Sequence, residues 1–521
     1  MSKFASAMYG SSRTANGALS YSSPDPSRVH SGRLSLFFSS CRGLNIPKLY
    51  QYLSESSVED IIDTFIIAFN TRDCRGGKGE KELGKKSLQW LMINYPVQFI
   101  KIIPFIPEYG RWDDLLHFFP GSINLENTYH IKANYSSPNI TENDIKNIKL
   151  AQKEVIKYFI SKINTDTACM MRGEIVSLAA KWAPTENDSL DRRYSNVSVL
   201  CKEMNITRRE YRKNIIGPLR SYIKIVEKYM CNGQWDKVEY SKVPSCAIKR
   251  LKKAFDKHDH HRFVEWKASL SAGKVDVKAK QLHPHELVTE VRRLGYADEV
   301  ASAQWKILED MVIASGVMEN TLIVCDTSAS MTWGTGVPIN VSIAFGLIIS
   351  NAVKGVFHNH VITFNDIPSF VVLKDGSFYD RVRDISTIPV GGSTNFQAVF
   401  KLILNRCKES GLEDKDTPKR IVVVSDMQFN MADSSYVTNH ENIKRMYTEA
   451  KYTMPSMIYW NVNGSNTDFP VTASDKGTAL LSGYSPALIK AVLTDKNICP
   501  VSILKNVLGD KRYDNIKNTL V

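Results

Sequence analysis

The residues best suited to chemistry in this chain are three oxygen-bearing side chains in one short stretch. Asp326, Ser328 and Ser330 occupy alternate positions directly after the apolar run at 321–325, which is typical of a buried strand. Carboxylate and hydroxyl oxygens suit Mg²⁺ and Mn²⁺, ions that keep some coordination positions for water or a partner. The stretch therefore predicts a divalent-cation site at the end of a strand.

Two later segments offer further oxygen ligands. Thr394 closes the Gly-Gly-Ser-Thr sequence at 391–394, in a predicted loop before a helix, and Asp426 directly follows the apolar run at 421–424. In sheets of parallel strands joined by helices, ligands bind at the carboxyl ends of the strands. We therefore expect all three segments to meet at one edge of a sheet and to form a single site.

The C-terminal part of the chain has the pattern that such a sheet requires. From residue 317 to 521, short β-branched runs alternate with amphipathic helices, which predicts an α/β domain with a doubly wound, mostly parallel sheet covered on both faces. The predicted strands are 321–326, 360–364, 370–373, 420–425 and 457–462. The predicted helices are 339–353, 395–407, 441–452 and 485–493.

The preceding part has mostly helical spacing of its apolar residues. Residues 45–316 are predicted to form an all-helical module, and an irregular array of helical hairpins remains an open alternative. A helix over 61–69 is expected to take its cap and first turn from 57–60. The other predicted helices are 85–93, 141–163, 172–182, 207–229, 260–272 and 285–294, with loops at 121–138 and 232–244. Residues 1–44 are rich in Ser and Gly and are predicted to be a flexible arm.

Composition limits the class of protein. A chain of 521 residues is too long for one core, and 43% hydrophobic with 23% charged residues is ordinary for a soluble globular protein. No apolar segment reaches the roughly 18 residues of a membrane span, and the first residues lack the apolar core of a secretory signal. The nine cysteines are scattered without a C-x-x-C pair, which favours reduced thiols in the cytosol.

The net charge of +13 is unevenly distributed. Residues 201–280 carry 20 Lys and Arg against 9 Asp and Glu, whereas residues 317–521 carry 20 against 19. A basic field confined to one segment favours a polyanionic partner, nucleic acid before membrane, while solvated helix faces are the structural alternative. The candidate contacts form two clusters: Arg208, Arg209, Arg212 and Lys213, on a helix with Tyr211, and Lys249, Arg250, Lys252 and Lys253. No RNP or KH signature accompanies them, so sequence-specific base recognition is not expected.

Other candidate sites are weaker. The Arg-Gly-Gly-Lys-Gly sequence at 75–79 lacks the spacing of a phosphate loop, and a tight interhelical turn is the better prediction. His258, His260 and His261 have no matching Cys or carboxylate set and are predicted to begin a solvated helix. The Trp-Asp-Asp sequence at 112–114 is predicted to be a packed anchor with a helix cap. No nucleophile–base pair is evident, so an enzyme is not expected.

The oxygen-ligand pattern resembles a von Willebrand factor A domain, which has a Rossmann-like fold, with a complete metal-ion-dependent adhesion site. The resemblance implies that Ser328 and Ser330 ligate Mg²⁺ or Mn²⁺ directly, and Thr394 directly or through water. It implies that Asp326 and Asp426 hold coordinating waters or ligate, and that a partner's carboxylate fills the open position. An α/β domain that uses these oxygens only for loop hydrogen bonds is the alternative.

Three N-terminal segments, at 72–80, 109–116 and 180–184, together with 424–429, resemble a second family. Its members are uncharacterised proteins of plants, fungi and large DNA viruses. They pair a HEAT-like helical module, similar to the TROVE module of the Ro RNA-binding autoantigen, with a C-terminal von Willebrand factor A domain. The resemblance covers most of residues 45–500 and implies a ring or arc of helical hairpins that binds RNA on its basic surface.

Two functional hypotheses follow. The first is a non-enzymatic, Ro-like RNA-binding protein of the cytosol, or of a virion if the source is viral, with a metal-binding A domain. The second is a protein-interaction scaffold whose metal site docks a carboxylate-bearing partner without RNA. An enzyme that uses the metal is a third, weaker possibility.

Overall fold

The computed structural model describes residues 11–25, 27, 29–122, 141–316, 318–332, 336–364, 367–387, 394–431, 437–473, 475–488 and 498–521. Three predicted features lie wholly or partly outside these residues. They are the Gly-Gly-Ser sequence at 391–393, most of the loop at 121–138, and the second half of the helix predicted over 485–493. Within the described part of that helix, Pro486–Leu488 forms a short 3₁₀ turn.

The region before the sheet is helical, as predicted. Its α-helices are Ile46–Glu59, Ile61–Arg72, Lys81–Asn94, Pro96–Ile102, Ile106–Tyr109, Glu142–Met171, Ala179–Trp182, Ser189–Tyr194, Asn196–Met204, Arg208–Glu210, Gly217–Tyr222, Val226–Cys231, Ser245–His258, His260–Ser271, Pro284–Leu294 and Glu299–Ala314. Shorter 3₁₀ segments are Ile103–Phe105, Trp112–Phe118, Trp235–Lys237 and Tyr240–Lys242. No helix in the described parts of the chain is long and apolar enough to cross a membrane.

Some helix boundaries differ from the predicted ones. The helix Ile46–Glu59 includes the residues expected to cap the next helix, and Asp60 takes that role by accepting a hydrogen bond from the Asp63 amide at 2.9 Å. The helix predicted over 172–182 is largely absent. The preceding long helix ends at Met171, because Gly173 turns the chain with a φ of 74°.

The C-terminal region is built on a mixed six-stranded sheet. The strands among the described residues are β1 Ser11–Arg13, β2 Leu19–Tyr21, β3 Met318–Glu319, β4 Thr321–Asp326, β5 Val353–Lys354, β6 His360–Phe364, β7 Ser369–Val372, β8 Arg420–Ser425, β9 Ser456–Asn461 and β10 Thr478–Ser482. The order in the large sheet is β10-β9-β8-β4-β6-β7, in which all neighbours are parallel except β6 and β7. Later strands are added on both sides of β4, so the direction of winding changes beside it.

Helices cover both faces of this sheet. Alternate residues of the strands point to opposite faces, so Ile323 and Cys325 of β4 pack with the helix Val337–Ala352, whereas Leu322 and Val324 pack with the helix Phe396–Glu409. The other helices of the region are Phe378–Ser386, Asn439–Ala450, Pro500–Leu508 and Asp514–Leu520. Because β4 and β8 are parallel neighbours, Asp326 and Asp426 lie at the same sheet edge.

The prediction of a flexible arm over residues 1–44 is wrong for the described residues between 11 and 44. β1 and β2 form an antiparallel hairpin, and a helix at Ser31–Ser39 buries Phe37 and Phe38. This helix packs on β10 and on the helix Pro500–Leu508. The apolar side chains at 34–38 stabilise the segment by burial, which its Ser- and Gly-rich composition concealed. Residues 1–10 lie outside the described chain.

The helical and sheet regions share one apolar core. The ring of Tyr109 stacks on that of Tyr513, with centroids 5.5 Å apart, and the helix Asp514–Leu520 packs against the helix Ile61–Arg72. A single cluster of buried apolar residues therefore runs from the N-terminal helices into one face of the sheet.

Candidate functional site

Asp326 ends β4 with its carboxylate fully buried. The Ser328 amide donates a hydrogen bond to Oδ1 at 2.8 Å, and the Ser425 hydroxyl donates to Oδ2 at 2.5 Å. Ser425 closes β8, which comes much later in the chain but lies beside β4 in the sheet. The carboxylate is therefore held between the ends of the two central strands.

Asp426 stands directly after β8 and is 2% exposed. Its Oδ1 accepts a hydrogen bond from the Gln428 amide at 3.1 Å, and its carboxylate also accepts one from the side chain of Ser330. The hydroxyl oxygens of Ser328 and Ser330 are 3.1 Å apart. Hydrogen bonds thus connect the three residues of the 326–330 loop with Asp426.

Thr394 is hydrogen-bonded to Asn430, in the loop that follows Asp426. Its amide donates to the side-chain oxygen of Asn430 at 3.1 Å, and the Asn430 amide donates to the Thr394 carbonyl at 2.9 Å. Thr394 is buried and is tied to the loop that follows Asp426, but no hydrogen bond links its side chain to the other predicted ligands. Hydrogen bonds connect four of the five predicted ligands, and Thr394 is bonded to Asn430, which follows Asp426 by four positions in the chain.

The electrostatics of the site favour a cation. Burial raises the pKa of Asp326, and the negative charge of Asp426 raises it further. Burial also raises the pKa of Asp426. Neither carboxylate has an ion pair with a Lys, Arg or His of the described chain. Burying two carboxylates without a counter-ion costs free energy. A hard divalent cation would neutralise their charge, and the neighbouring hydroxyl groups would provide further oxygen ligands.

The donor set consists mainly of hydroxyl groups. Across the part of the chain that the structure covers, no three His, Cys, Asp or Glu side chains form a group that could hold a metal. Any ion at this edge would therefore depend on Ser328, Ser330 and Thr394 as well as on the two carboxylates. Ser330 is partly exposed while the others are buried, so the site opens to solvent beside Ser330.

Sequence reasoning missed three residues that arrange this site. Ser425 holds Asp326, Gln428 holds Asp426, and Asn430 holds Thr394. A polar residue at the last position of an otherwise apolar strand was a detectable signal for Ser425. The other two depend on the turn at Met427, whose φ is 64°, and no sequence pattern indicated that turn.

The first predicted cluster of cations is only partly available for nucleic acid. All four side chains are exposed, but Arg208 and Arg212 lie 3.6 and 3.5 Å from the carboxylate of Glu186, whereas Arg209 and Lys213 form no ion pair with a described residue. Tyr211, expected to accompany these cations on the helix surface, is buried and donates its hydroxyl to the Pro184 carbonyl at 3.1 Å. The aromatic ring is therefore packed in the core and cannot stack on a base.

The second cluster is mostly neutralised. Lys249 pairs with Glu286 at 3.2 Å and Arg250 with Glu227 at 3.6 Å. Lys252 pairs with both Glu290 and Asp298, and the side chains of Arg250 and Lys253 are exposed. A cavity of about 870 Å³ lies beside Lys252 and Lys253, and its walls carry acidic as well as basic side chains.

The weaker candidates have structural roles. The sequence at 75–79 forms the interhelical turn that was predicted, and a side chain at Gly77 would lie 2.2 Å from the Asn70 carbonyl oxygen. Trp112 stacks on Tyr158 with centroids 5.9 Å apart, as expected of a packed anchor. His258 stacks on Trp235, with centroids 4.7 Å apart.

Comparisons with known proteins match the chain to families without an assigned function. A family model described as a domain of unknown function (DUF7788) matches residues 320–516, and another (DUF2828) matches residues 200–318. The uncharacterized protein L728 of Acanthamoeba polyphaga mimivirus is 31% identical over 466 residues, covering 85% of this chain and 78% of the viral protein.

One solved structure is similar over most of its length. The Ro (RSR) protein of Deinococcus radiodurans is 10% identical, and the match covers 92% of this chain and 99% of that protein with a TM-score of 0.34. A TM-score this low does not establish a common fold.

Proposed function

The chain belongs to the family of the mimivirus protein L728, and we propose that it is a non-enzymatic binding protein that holds a partner through a divalent cation. The observation that carries this proposal is the pair of buried carboxylates, Asp326 and Asp426, which the hydroxyls of Ser328 and Ser330 connect. Among the described residues, no basic side chain forms an ion pair with either carboxylate. The ion best suited to these oxygens is Mg²⁺ or Mn²⁺.

The proposal includes a von Willebrand factor A-like identity for the sheet region. Its support is the strand order, in which β4 lies at the centre with strands added on both sides, and the position of the oxygen ligands after β4 and β8. Ligand sites of such sheets lie where the winding changes direction. Asp326 and Asp426 are at that point.

Each residue has a definable role in binding. Ser328, Ser330 and Thr394 would offer neutral oxygens, and the two carboxylates would supply the negative charge or orient coordinating water. The bound ion would supply a Lewis-acidic position for a carboxylate of the partner. The partly exposed Ser330 marks the side from which the partner approaches. An acidic residue on a protein partner is the matching chemistry.

Metal binding can be measured directly. We expect calorimetric titration with Mn²⁺ or Mg²⁺ to show one site in the wild-type chain, because one set of ligands is assembled. Asp326→Ala and Thr394→Ala should abolish the binding heat, since the first removes a buried charge and the second an oxygen ligand. Asp416→Ala, which removes an exposed carboxylate of the same region, is the control and should bind normally. Failure of the wild-type protein to bind either ion at millimolar concentration would refute the site.

RNA binding is a second candidate function, supported by exposed cations of the segment 201–280. Several of these have no ion pair with another described residue and would be free to contact phosphates: Lys202, Arg209, Lys213, Lys224, Lys237, Lys253, Lys257, Lys274, Lys278 and Lys280. Cations dispersed over helix surfaces favour backbone contacts over base recognition. The ion pairs of Arg208, Arg212, Lys249, Arg250 and Lys252 make this candidate weaker than the metal site.

Titration with RNA at several salt concentrations tests the second function. We expect the affinity to fall steeply with salt. The combined change of Arg208, Arg209, Arg212 and Lys213 to Ala should lower the slope by about 0.7 for each phosphate of a single strand that is no longer neutralised. The control removes four cations of the sheet region by changing Arg406, Lys408, Lys415 and Lys419 to Ala. Absence of binding at low salt, or an equal reduction in the control, would argue against RNA as the partner of this segment.

A further inference from the structure

We propose that the N-terminal hairpin, residues 11–21, positions the ligands of the cation site and thereby sets the affinity for the ion. The inference rests on the proposed function, because it concerns the same site. The hairpin consists of β1, a turn at 14–18 and β2. Its turn lies against the loop at 427–430, which links Asp426 with Thr394.

The turn of the hairpin forms hydrogen bonds with Gln428, whose amide donates a hydrogen bond to Asp426. The Ala15 amide donates to the side-chain oxygen of Gln428 at 2.5 Å, and the Asn16 side chain donates to the Gln428 carbonyl at 2.6 Å. The Thr14 hydroxyl donates to the carbonyl of residue 429 at 2.8 Å. Since the Gln428 amide donates a hydrogen bond to Asp426 Oδ1, Gln428 connects the hairpin with this carboxylate.

The same turn also reaches Thr394. Gly17 forms an antiparallel bridge with Asn430, whose side chain and amide are both bonded to the main chain of Thr394. The hairpin therefore contacts the immediate neighbours of two predicted ligands. It contributes no ligand itself, which makes its residues positioning residues.

The hairpin has an anchor that is separate from this contact. Tyr21 and Phe469 exchange main-chain hydrogen bonds of 3.0 and 2.9 Å. Ser12 makes a further side-chain hydrogen bond with Asp468. Because these contacts are made with residues 468 and 469 and not with the loop at 427–430, the turn can be altered while the hairpin keeps its anchor.

The loop at 427–430 begins with a residue in an unfavourable main-chain conformation. Met427 has a φ of 64°, in the left-handed region that is strained for a non-glycine residue. Two of the hydrogen bonds from the hairpin end on main-chain carbonyls directly after this residue, and the third ends on the side chain of Gln428. Residues that orient metal ligands from outside the coordination shell are typically worth about 10- to 100-fold in affinity. We expect the hairpin to act in this way.

The test uses the full chain with Thr14→Val and Asn16→Ala combined, which removes two of the three hydrogen bonds to the loop and the bond within the turn from the Ala18 amide to the Thr14 hydroxyl. We expect calorimetry to show Mn²⁺ binding weakened by about tenfold. Ser12→Ala, which breaks a hydrogen bond at the anchor instead, is the matched control and should bind as the wild type does. Thermal unfolding in EDTA should be nearly the same for all three proteins. Hydrogen exchange of the amides at 427–430 without metal should be faster only in the double variant.

The possible outcomes separate this inference from the proposed function. Equal affinities in the double variant and the wild type would overturn the positioning role and leave the cation site intact. Absence of binding in the wild type would refute the site and the inference together. If the double variant fails to fold, Gln428→Ala decides, because it removes only the acceptor for the Ala15 amide. Unchanged affinity in that variant would also overturn the positioning role.

Discussion

Lys78 is the residue whose surroundings depart most from what its chemistry prefers. Its side chain is fully buried, and its ammonium group donates hydrogen bonds to the Phe37 and Ser40 carbonyls and, at 2.7 Å, to the Ser482 hydroxyl. Burial lowers the pKa of Lys78 to about 7. The residue joins the turn between two helices to the helix Ser31–Ser39 and to the end of β10.

This burial predicts a pH dependence of stability. Lys78 has a pKa of about 7 in the folded chain against 10.5 as its ordinary value, so between these values the unfolded chain holds a proton that the folded chain lacks. Raising the pH through this window therefore favours the folded state. We expect the free energy of unfolding of the wild type to rise, relative to that of Lys78→Met, between about pH 7 and pH 10.

Urea unfolding at pH 7 and pH 9.5 measures this difference. The quantity to compare is the change with pH, because Lys78→Met also removes hydrogen bonds and shifts stability at every pH. Lys408→Met, at an exposed position, is the control. A parallel pH dependence of the wild type and Lys78→Met would show that the ammonium group is not desolvated as described.

Among the elements, the C-terminal segment is attached to the helical region by a buried polar cluster. Asp73 is fully buried and accepts hydrogen bonds from Arg512 Nη2 at 2.8 Å and from the Tyr513 hydroxyl at 3.2 Å. The Asn70 side chain donates to the same hydroxyl at 3.0 Å. The short helix Asp514–Leu520 is thereby fixed to the end of the helix Ile61–Arg72.

Removing the cation of this attachment should be costly. We expect Arg512→Ala to lower the free energy of unfolding by about 2–3 kcal/mol, because it leaves the buried Asp73 without its charged partner. Since Arg512 is partly exposed, this loss is smaller than that expected for a fully buried ion pair. Denaturant unfolding measures the loss, with Lys511→Ala as the exposed neighbouring control. A loss below about 0.5 kcal/mol would contradict the assigned role.

Elements with continuous apolar runs could be predicted, whereas those stabilised by distant partners could not. β4 and β8 were recognised because β-branched residues fill them, and their ends gave Asp326 and Asp426. The hairpin 11–21 was missed because its strands have three residues each and are stabilised by residues more than 400 positions away. Gln428 and Asn430 were missed for a similar reason, since their contacts depend on the positive φ of Met427.

At the scale of the whole molecule, the surface distribution of charge could not be predicted from the sequence either. The excess of cations in residues 201–280 suggested a basic surface, yet Glu186, Glu286, Glu290 and Asp298, which neutralise several of them, all lie outside that segment. A charge count over a stretch of sequence cannot include acidic residues that the fold brings in from elsewhere. The remaining exposed cations define the surface on which the RNA titration should focus.

The hairpin and the helix Ser31–Ser39 have a consequence for the synthesis of the chain. Ala15 binds Gln428, which is 413 positions later, and the ring of Phe38 packs 5.5 Å from that of Phe469. At about 5–20 residues per second, a ribosome needs roughly 20–80 s to make these partners. Throughout that time Phe38 lacks the ring of Phe469, and we expect it to be a binding site for chaperones on the nascent chain. The earliest described residues are thus among the last to reach their native contacts.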